Sequence, residues 1–327
     1  MSPSHRSVRM FTRHICLVLS VVASVSMVKV QTGSFVNFEA HQTRPICLSS
    51  DGARLFAVNT ADARLSVFDG SNSANPSPVL IREIVVGIEP VSVNVVSNDE
   101  AWVVNEVSDS VSIVSVATGM ITDTLACKDE PADVVFAGGK AFVSCSRSNL
   151  IRILSIATHA EIGTIPLQGL NPRSLAVSND GTKICAAFAL SGNRTTLLPP
   201  DPSRLQPTIP GLPPPSRVSL IVTAEDSLLH PKPNMPGNDV AEMNVATAIV
   251  MRHFKPTGTV NFCVTPRPGS DELWVANTEA RNLVRFEPVL KGHAVDNRVT
   301  RVQTGGTVTV TPLDLNPGID FARVGAC

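Results

Sequence analysis

An all-β fold built from repeated four-stranded units is predicted by three observations on this 327-residue chain. Short apolar, β-branched runs come in groups of four. Pro45, Pro90, Pro131 and Pro172 open successive groups at intervals of 45, 41 and 41 residues. No stretch between them sustains the 3.6-residue period of an amphipathic helix. Four strands every 41 to 45 residues is the period of a propeller blade. The expected fold class is therefore all-β, a β-propeller of four-stranded blades.

Each element follows from its residues. After each proline comes a first strand: Ile46–Ser49, Val91–Val96, Ala132–Phe136 and Arg173–Val177. A turn rich in Gly, Asn and Asp ends it, as at Ser50-Asp51-Gly52 and Asn179-Asp180-Gly181. These residues tolerate the backbone angles of tight hairpins. Second strands are Leu55–Asn59, Ala101–Asn105, Ala141–Cys145 and Ile184–Phe188. Third strands are Leu65–Asp69, Val111–Ser115 and Ile151–Ser155, and fourth strands are Ile84–Val86, Ile121–Leu125 and Ile162–Leu167. A fifth copy is expected with strands at Phe262–Thr265, Leu273–Asn277 and Leu283–Glu287, its fourth supplied by Val299–Val302 and the Thr/Val run that follows.

The pattern Pro…Ser-x-Asp-Gly…Leu-Phe-Ala-Val-Asn…Leu-Ser-Val-Phe-Asp resembles the YVTN-type β-propeller repeat of bacterial exported and surface proteins. The name-giving motif reads Phe56-Ala57-Val58-Asn59, Trp102-Val103-Val104-Asn105 and Trp274-Val275-Ala276-Asn277. Phe142–Cys145 and Cys185–Phe188 depart from it. The resemblance spans about residues 34–320 and implies blades near 45–89, 90–130, 131–171, 172–260 and 261–314. About five blades are present. Because propellers of this type are more usually seven-bladed, the chain would make either a closed five-bladed ring or an incomplete seven-bladed one. Residues 315–327 read as the start of a sixth blade.

Two segments break the repeat. An insertion at about 189–238 separates the second and third strands of blade four, which resumes near Asp239–Met243; it holds 11 of the 25 prolines. Such composition favours extended chain. At the N-terminus, Arg6, Arg9 and Arg13 precede a 14-residue uncharged stretch, Ile15–Val28. A basic region followed by a short apolar one reads as a signal peptide over 1–28, with Met10 an alternative start. At ~1.5 Å per residue the stretch spans about 21 Å, too short to cross a membrane. The expected localisation is exported, whether periplasmic, cell-surface or secreted, with no membrane span in the mature chain.

Composition excludes several function classes. Net charge is −1, from 27 basic and 28 acidic residues, which gives no basic stripe for nucleic acid. Aromatics are 4%, with no Tyr, so stacking platforms are scarce. There is no CxxCH, HExxH, P-loop or G-x-S-x-G, so no cofactor or metal is expected and no catalytic residue is assigned. Six cysteines remain after the signal, without CxxC spacing, and are read as small buried hydrophobes rather than a disulfide framework.

Candidate site residues come from topology. Loops before the first strand and between the second and third strands of each blade share one face. That places Arg44, Glu89, Glu130, Asp133, Asn171 and Arg173 around the channel mouth as ligand-binding candidates. Asp62, Arg64, Glu106, Asp109, Arg147, Glu279 and Arg281 fall on the outer loops of that face, and the insertion leaves from it as a candidate lid. Two readings stand: a site for a protein, small molecule or cation, or solvated turn residues that recur with the repeat. Asn59, Asn105 and Asn277 are expected to bond local turn backbone. The leading functional reading is an exported, non-catalytic binding or scaffold module with an unknown protein or small-molecule ligand at the top face. The alternatives are the propeller part of a redox protein, with a cytochrome c or peroxidase-like haem domain further along, and a lactonase-like metal-dependent hydrolase using Glu89, Glu130 or Asp133.

Overall fold

The first four strands, β1 (Ile46–Leu48), β2 (Arg54–Asn59), β3 (Arg64–Asp69) and β4 (Val79–Val85), form one antiparallel sheet in the order of the chain. The pattern repeats in the computed structural model, which describes residues 42–72, 77–127, 129–190, 196–198, 220–222, 237–280 and 295–319. The second sheet holds β5 (Pro90–Val95), β6 (Glu100–Asn105), β7 (Ser110–Ser115) and β8 (Met120–Ala126). The third holds β9 (Pro131–Ala137), β10 (Lys140–Cys145), β11 (Leu150–Ser155) and β12 (Glu161–Pro166). In the fourth, β13 (Pro172–Val177) and β14 (Lys183–Phe188) precede the insertion, where β15 (Thr196–Leu198) and β16 (Leu220–Val222) pair with each other. β17 (Val240–Asn244) and β18 (Ile249–Phe254) then complete that sheet. The fifth sheet is β19 (Val260–Pro266), β20 (Glu272–Ala280), β21 (Val295–Gln303) and β22 (Thr309–Asp314).

Five four-stranded antiparallel sheets make this a β-propeller. Blade five differs from its sequence reading. Its third strand is Val295–Gln303, paired with β20 from Glu272↔Gln303 to Ala280↔Val295. Residues 283–287 lie outside the described residues, as do the signal-like segment 1–28 and most of the insertion. The run expected in the fourth strand, Val299–Val302, thus lies within the third, and the fourth, β22, falls on the Thr/Val run that follows it. Among the described residues no helix is long and apolar enough to cross a membrane.

Alternation along each strand decides which blade a side chain meets. In blades one to three the aromatic of the repeat motif faces the next blade. Phe56 packs with Val93 and Val103 of blade two, Trp102 with Val134 and Val143 of blade three, and Phe142 with Leu175 and Phe188 of blade four. Cys185 takes the same position against Val264 and Val275 of blade five. Burying one such large side chain contributes about 1.5–3 kcal/mol. Trp102 also donates its indole N–H to Glu100 Oε1 at 2.7 Å and meets Phe136 edge-on at 5.4 Å. Trp274 is the exception, 39% exposed, because no described sheet follows blade five. Ile46 and Leu48, on the opposite face of blade one, are likewise exposed.

A second repeat position, two residues after each proline, ties blades together around the channel. Cys47 Sγ lies 3.5 Å from Asn94 Oδ1, Ser92 donates to Asp133 Oδ1 at 2.6 Å, Asp133 Oδ2 accepts from the Leu175 amide at 2.8 Å, and Ser174 Oγ accepts from the Val264 amide at 3.1 Å. The channel narrows to a cavity of about 310 Å³ whose lining includes Arg44, Asn94, Val135, Ala176 and Val264.

Candidate functional site

The mouth is assembled by one local device used three times. Glu89, Glu130 and Asn171 each stand immediately before the proline that starts an inner strand, with φ of 53, 54 and 57°. Left-handed backbone is costly for a residue with a Cβ, by roughly 1–3 kcal/mol, less for Asn. A matching hydrogen bond holds each one: Glu106 N–H to Glu89 O at 2.9 Å, Ser146 N–H to Glu130 O at 3.0 Å, and Ala189 N–H to Asn171 O at 2.9 Å. The loop after the second strand is thereby fastened to the loop before the first. The neighbouring blade adds a further tie, since Asp109 Oδ1 accepts from the Glu130 amide at 2.9 Å and Asn149 Oδ1 from the Asn171 amide at 2.8 Å.

These loops enclose a cavity of about 790 Å³. Five carboxylates line it, those of Glu89, Glu106, Asp109, Asp129 and Glu130, against the two guanidiniums of Arg147 and Arg173. Both guanidiniums are engaged. Arg173 grips Glu106 through two hydrogen bonds of 2.9 and 3.2 Å, reaching from blade four to blade two, and both side chains are nearly buried. Arg147 Nη1 reaches Glu130 Oε1 at 3.2 Å in a more exposed pair. The balance of the lining is negative. Asn171 Oδ1 is buried at the wall and meets no hydrogen-bond donor among the described residues.

Of the six candidates, the structure brings together Glu89, Glu130, Asn171 and Arg173 at this cavity. Arg44 and Asp133 lie deeper, in the channel. Asp133 is fully buried, and its carboxylate accepts from Arg44 Nε and Nη2 at 3.3 and 3.2 Å, Ser92 Oγ at 2.6 Å, and the amides of Val134 and Leu175 at 2.9 and 2.8 Å. Arg44 also donates to Leu175 O at 2.6 Å, and the Asp133 charge raises its pKa. This is a structural knot between blades. Period-two alternation turns Asp133, two residues after its proline, toward the channel; Glu89, Glu130 and Asn171, each before a proline, stay at the rim, whereas the Arg44 side chain, before Pro45, reaches inward to pair with Asp133.

Glu106, Asp109 and Arg147, expected on the outer loops, join the mouth, and Gln42, Asp129, Asn261 and Phe262 join it too. Asp129 and Glu130 are adjacent in the repeat turn, which is the signal that marks Asp129. Asp62 and Arg64 pair with each other at 2.7 Å, and Glu279 pairs with Arg298 at 2.9 Å, while Arg281 lies outside the described residues. Ala189 and Leu190, where the insertion leaves, line the cavity, but 191–195 and 199–219 are outside the described residues. Two of the motif asparagines bond locally, and Asn105 Nδ2 reaches the Ser110 carbonyl across the turn at 3.3 Å. Asn105 Nδ2 donates to Ser110 and Ser112 of β7, and Asn277 Nδ2 to Val275 O and Thr300 Oγ1. Among the described residues no three His, Cys, Asp or Glu side chains converge as a metal site.

No family model matches the chain, and no curated protein matches it. Solved structures do. Hydrazine synthase of Kuenenia stuttgartiensis superposes with a TM-score of 0.64 at 19% identity, over 87% of this chain and 69% of that one. A putative 6-phosphogluconolactonase from Bacteroides uniformis ATCC 8492 gives 0.56 at 13%, over 82% and 71%. The dihydro-heme d1 dehydrogenase NirN gives 0.50 at 12%, over 84% of this chain and 48% of that one. At these identities the likeness is one of fold, the β-propeller.

Proposed function

We propose that the chain is an exported, non-catalytic propeller of the YVTN type that binds a positively charged partner at its mouth. The observation that carries this reading is the cavity of about 790 Å³, with five carboxylates against two engaged guanidiniums. Concave sites lined by one sign of charge concentrate ligands of the other sign. The buried acceptor Asn171 Oδ1 suits a donor-rich group such as an ammonium or guanidinium. Export is supported by the basic and apolar segments of 1–28, and the YVTN assignment by the aromatic and asparagine positions of the repeat.

A lactonase-like reading fits the charge less well. A phosphorylated lactone, as the name of the Bacteroides uniformis protein implies, is an anion and would meet this acidic lining unfavourably. The test is equilibrium binding of a labelled Lys/Arg-rich peptide and a Glu-rich one, by fluorescence anisotropy at two salt concentrations. The basic peptide is expected to bind, to weaken with salt, and to lose about tenfold on Glu89→Gln with Glu130→Gln. Equal binding of the two peptides, or indifference to those substitutions, overturns the proposal.

A further inference from the structure

Cys127 and Cys145 place their sulfur atoms 3.8 Å apart in the apolar layer between blades two and three. Both are thiols in this structure, and both are buried, at 1% and 0% exposure. Cys127 follows β8, the last strand of its blade, and Cys145 ends β10 of the next. A bond between them would therefore join two blades that are otherwise held by side-chain packing and hydrogen bonds. We propose that Cys127 and Cys145 form a disulfide when the chain folds in an oxidising compartment, stapling blade two to blade three. A disulfide needs a sulfur separation of about 2.05 Å, so bonding requires the two sulfurs to approach by about 1.8 Å from their 3.8 Å spacing as thiols.

Oxidation proceeds by thiol–disulfide exchange, and either cysteine can lead with the same product. With Cys127 leading, its thiolate attacks an external disulfide, of the glutathione or dithiol-oxidase class. One external thiol leaves, and a mixed disulfide remains on Cys127. Cys145 then gives up its proton and attacks Cys127 Sγ, expelling the second external thiol. Two protein thiols are oxidised, one external disulfide is reduced to two thiols, and the two protons go to the leaving sulfurs. Because neither sulfur is accessible in the closed fold, the exchange belongs to folding, before the blades pack. The bond would close a loop of 18 residues around β9 and β10.

The test refolds the full chain from reduced denaturant in a buffer rich in oxidised glutathione, and in parallel under reductant. Peptide mapping without reduction is expected to find Cys127 linked to Cys145, with a loss of about 2 Da for the pair. The linked chain is expected to melt about 5 °C or more above the reduced one. The Cys127→Ala/Cys145→Ala variant should melt at one temperature whether or not reductant is present. The inference is overturned if Cys127 and Cys145 both alkylate as free thiols after oxidative refolding. It is equally overturned if they pair with other cysteines, or if the linked chain melts no higher than the reduced one.

Discussion

Replacing Asp133 with Ala tests how the blades are held around the channel. The carboxylate accepts five hydrogen bonds, from Arg44, Ser92, Val134 and Leu175, and so touches blades one to four. Summing five bonds would overshoot, since water competes for each of them in the unfolded chain. Breaking a buried ion pair by removing one partner costs about 3–5 kcal/mol. The Arg44 side chain is 31% exposed and recovers some solvation, so the lower end applies, about 3 kcal/mol. That corresponds to a Tm drop of roughly 6–10 °C, read by far-ultraviolet circular dichroism. Arg44→Met should cost less, about 2 kcal/mol, because Asp133 keeps its other donors. The two changes together should fall short of additive by at least about 1 kcal/mol. An Asp133→Ala cost below about 0.5 kcal/mol, or additivity within that margin, would refute the knot.

Other expectations follow from single sites. Gly169→Ala would place a Cβ 2.4 Å from the buried Phe188 ring and should destabilise by about 1–3 kcal/mol, with part recovered by adding Phe188→Leu; an unchanged urea midpoint would contradict the packing. Hydrogen bonds from Ser178, then from the Thr182 amide and hydroxyl, hold the Asp180 carboxyl down at about 2. Its folded value lies below the unfolded one, so the turn's contribution is present above the unfolded pKa of about 3.9 and is lost as pH falls through about 2. Carboxyl carbon NMR should show that midpoint, and titration near 3.8 would contradict it. The chain has two tryptophans, Trp102 buried and Trp274 39% exposed. Trp274→Phe should leave blue-shifted emission that acrylamide barely quenches, and Trp102→Phe should leave red-shifted, readily quenched emission; a reversal would mean that blade five is covered.

The repeat was legible because three kinds of residue recur with a physical reason for each. Pro45, Pro90, Pro131 and Pro172 set inner-strand starts, Asn-Asp-Gly turns set hairpins, and alternation set which face is buried. Blade four's resumption at Val240 after the insertion was readable from the same alternation. The third strand of blade five was not, because pairing across β20 decides it, and that pairing takes Val299–Val302, the run expected in the fourth. At the site, Glu89, Glu130 and Asn171, each before a proline, could be placed at the mouth from topology. The depth of Arg44 and Asp133 could not: Asp133 faces the channel by strand alternation, and Arg44 reaches inward to pair with it. Nor could the Cys127–Cys145 approach, which joins an outer strand to a second strand of another blade and carries no spacing signature.

Backbone-amide chemical-shift mapping during titration with an oligo-arginine probe tests the binding account most directly. Shifts are expected to cluster at Glu89, Glu106, Asp109, Asp129, Glu130 and Asn171, with little change at the exposed acids Asp51, Asp99 and Asp180. Equal shifts at those exposed acids, or none at the mouth at saturating probe, would contradict it.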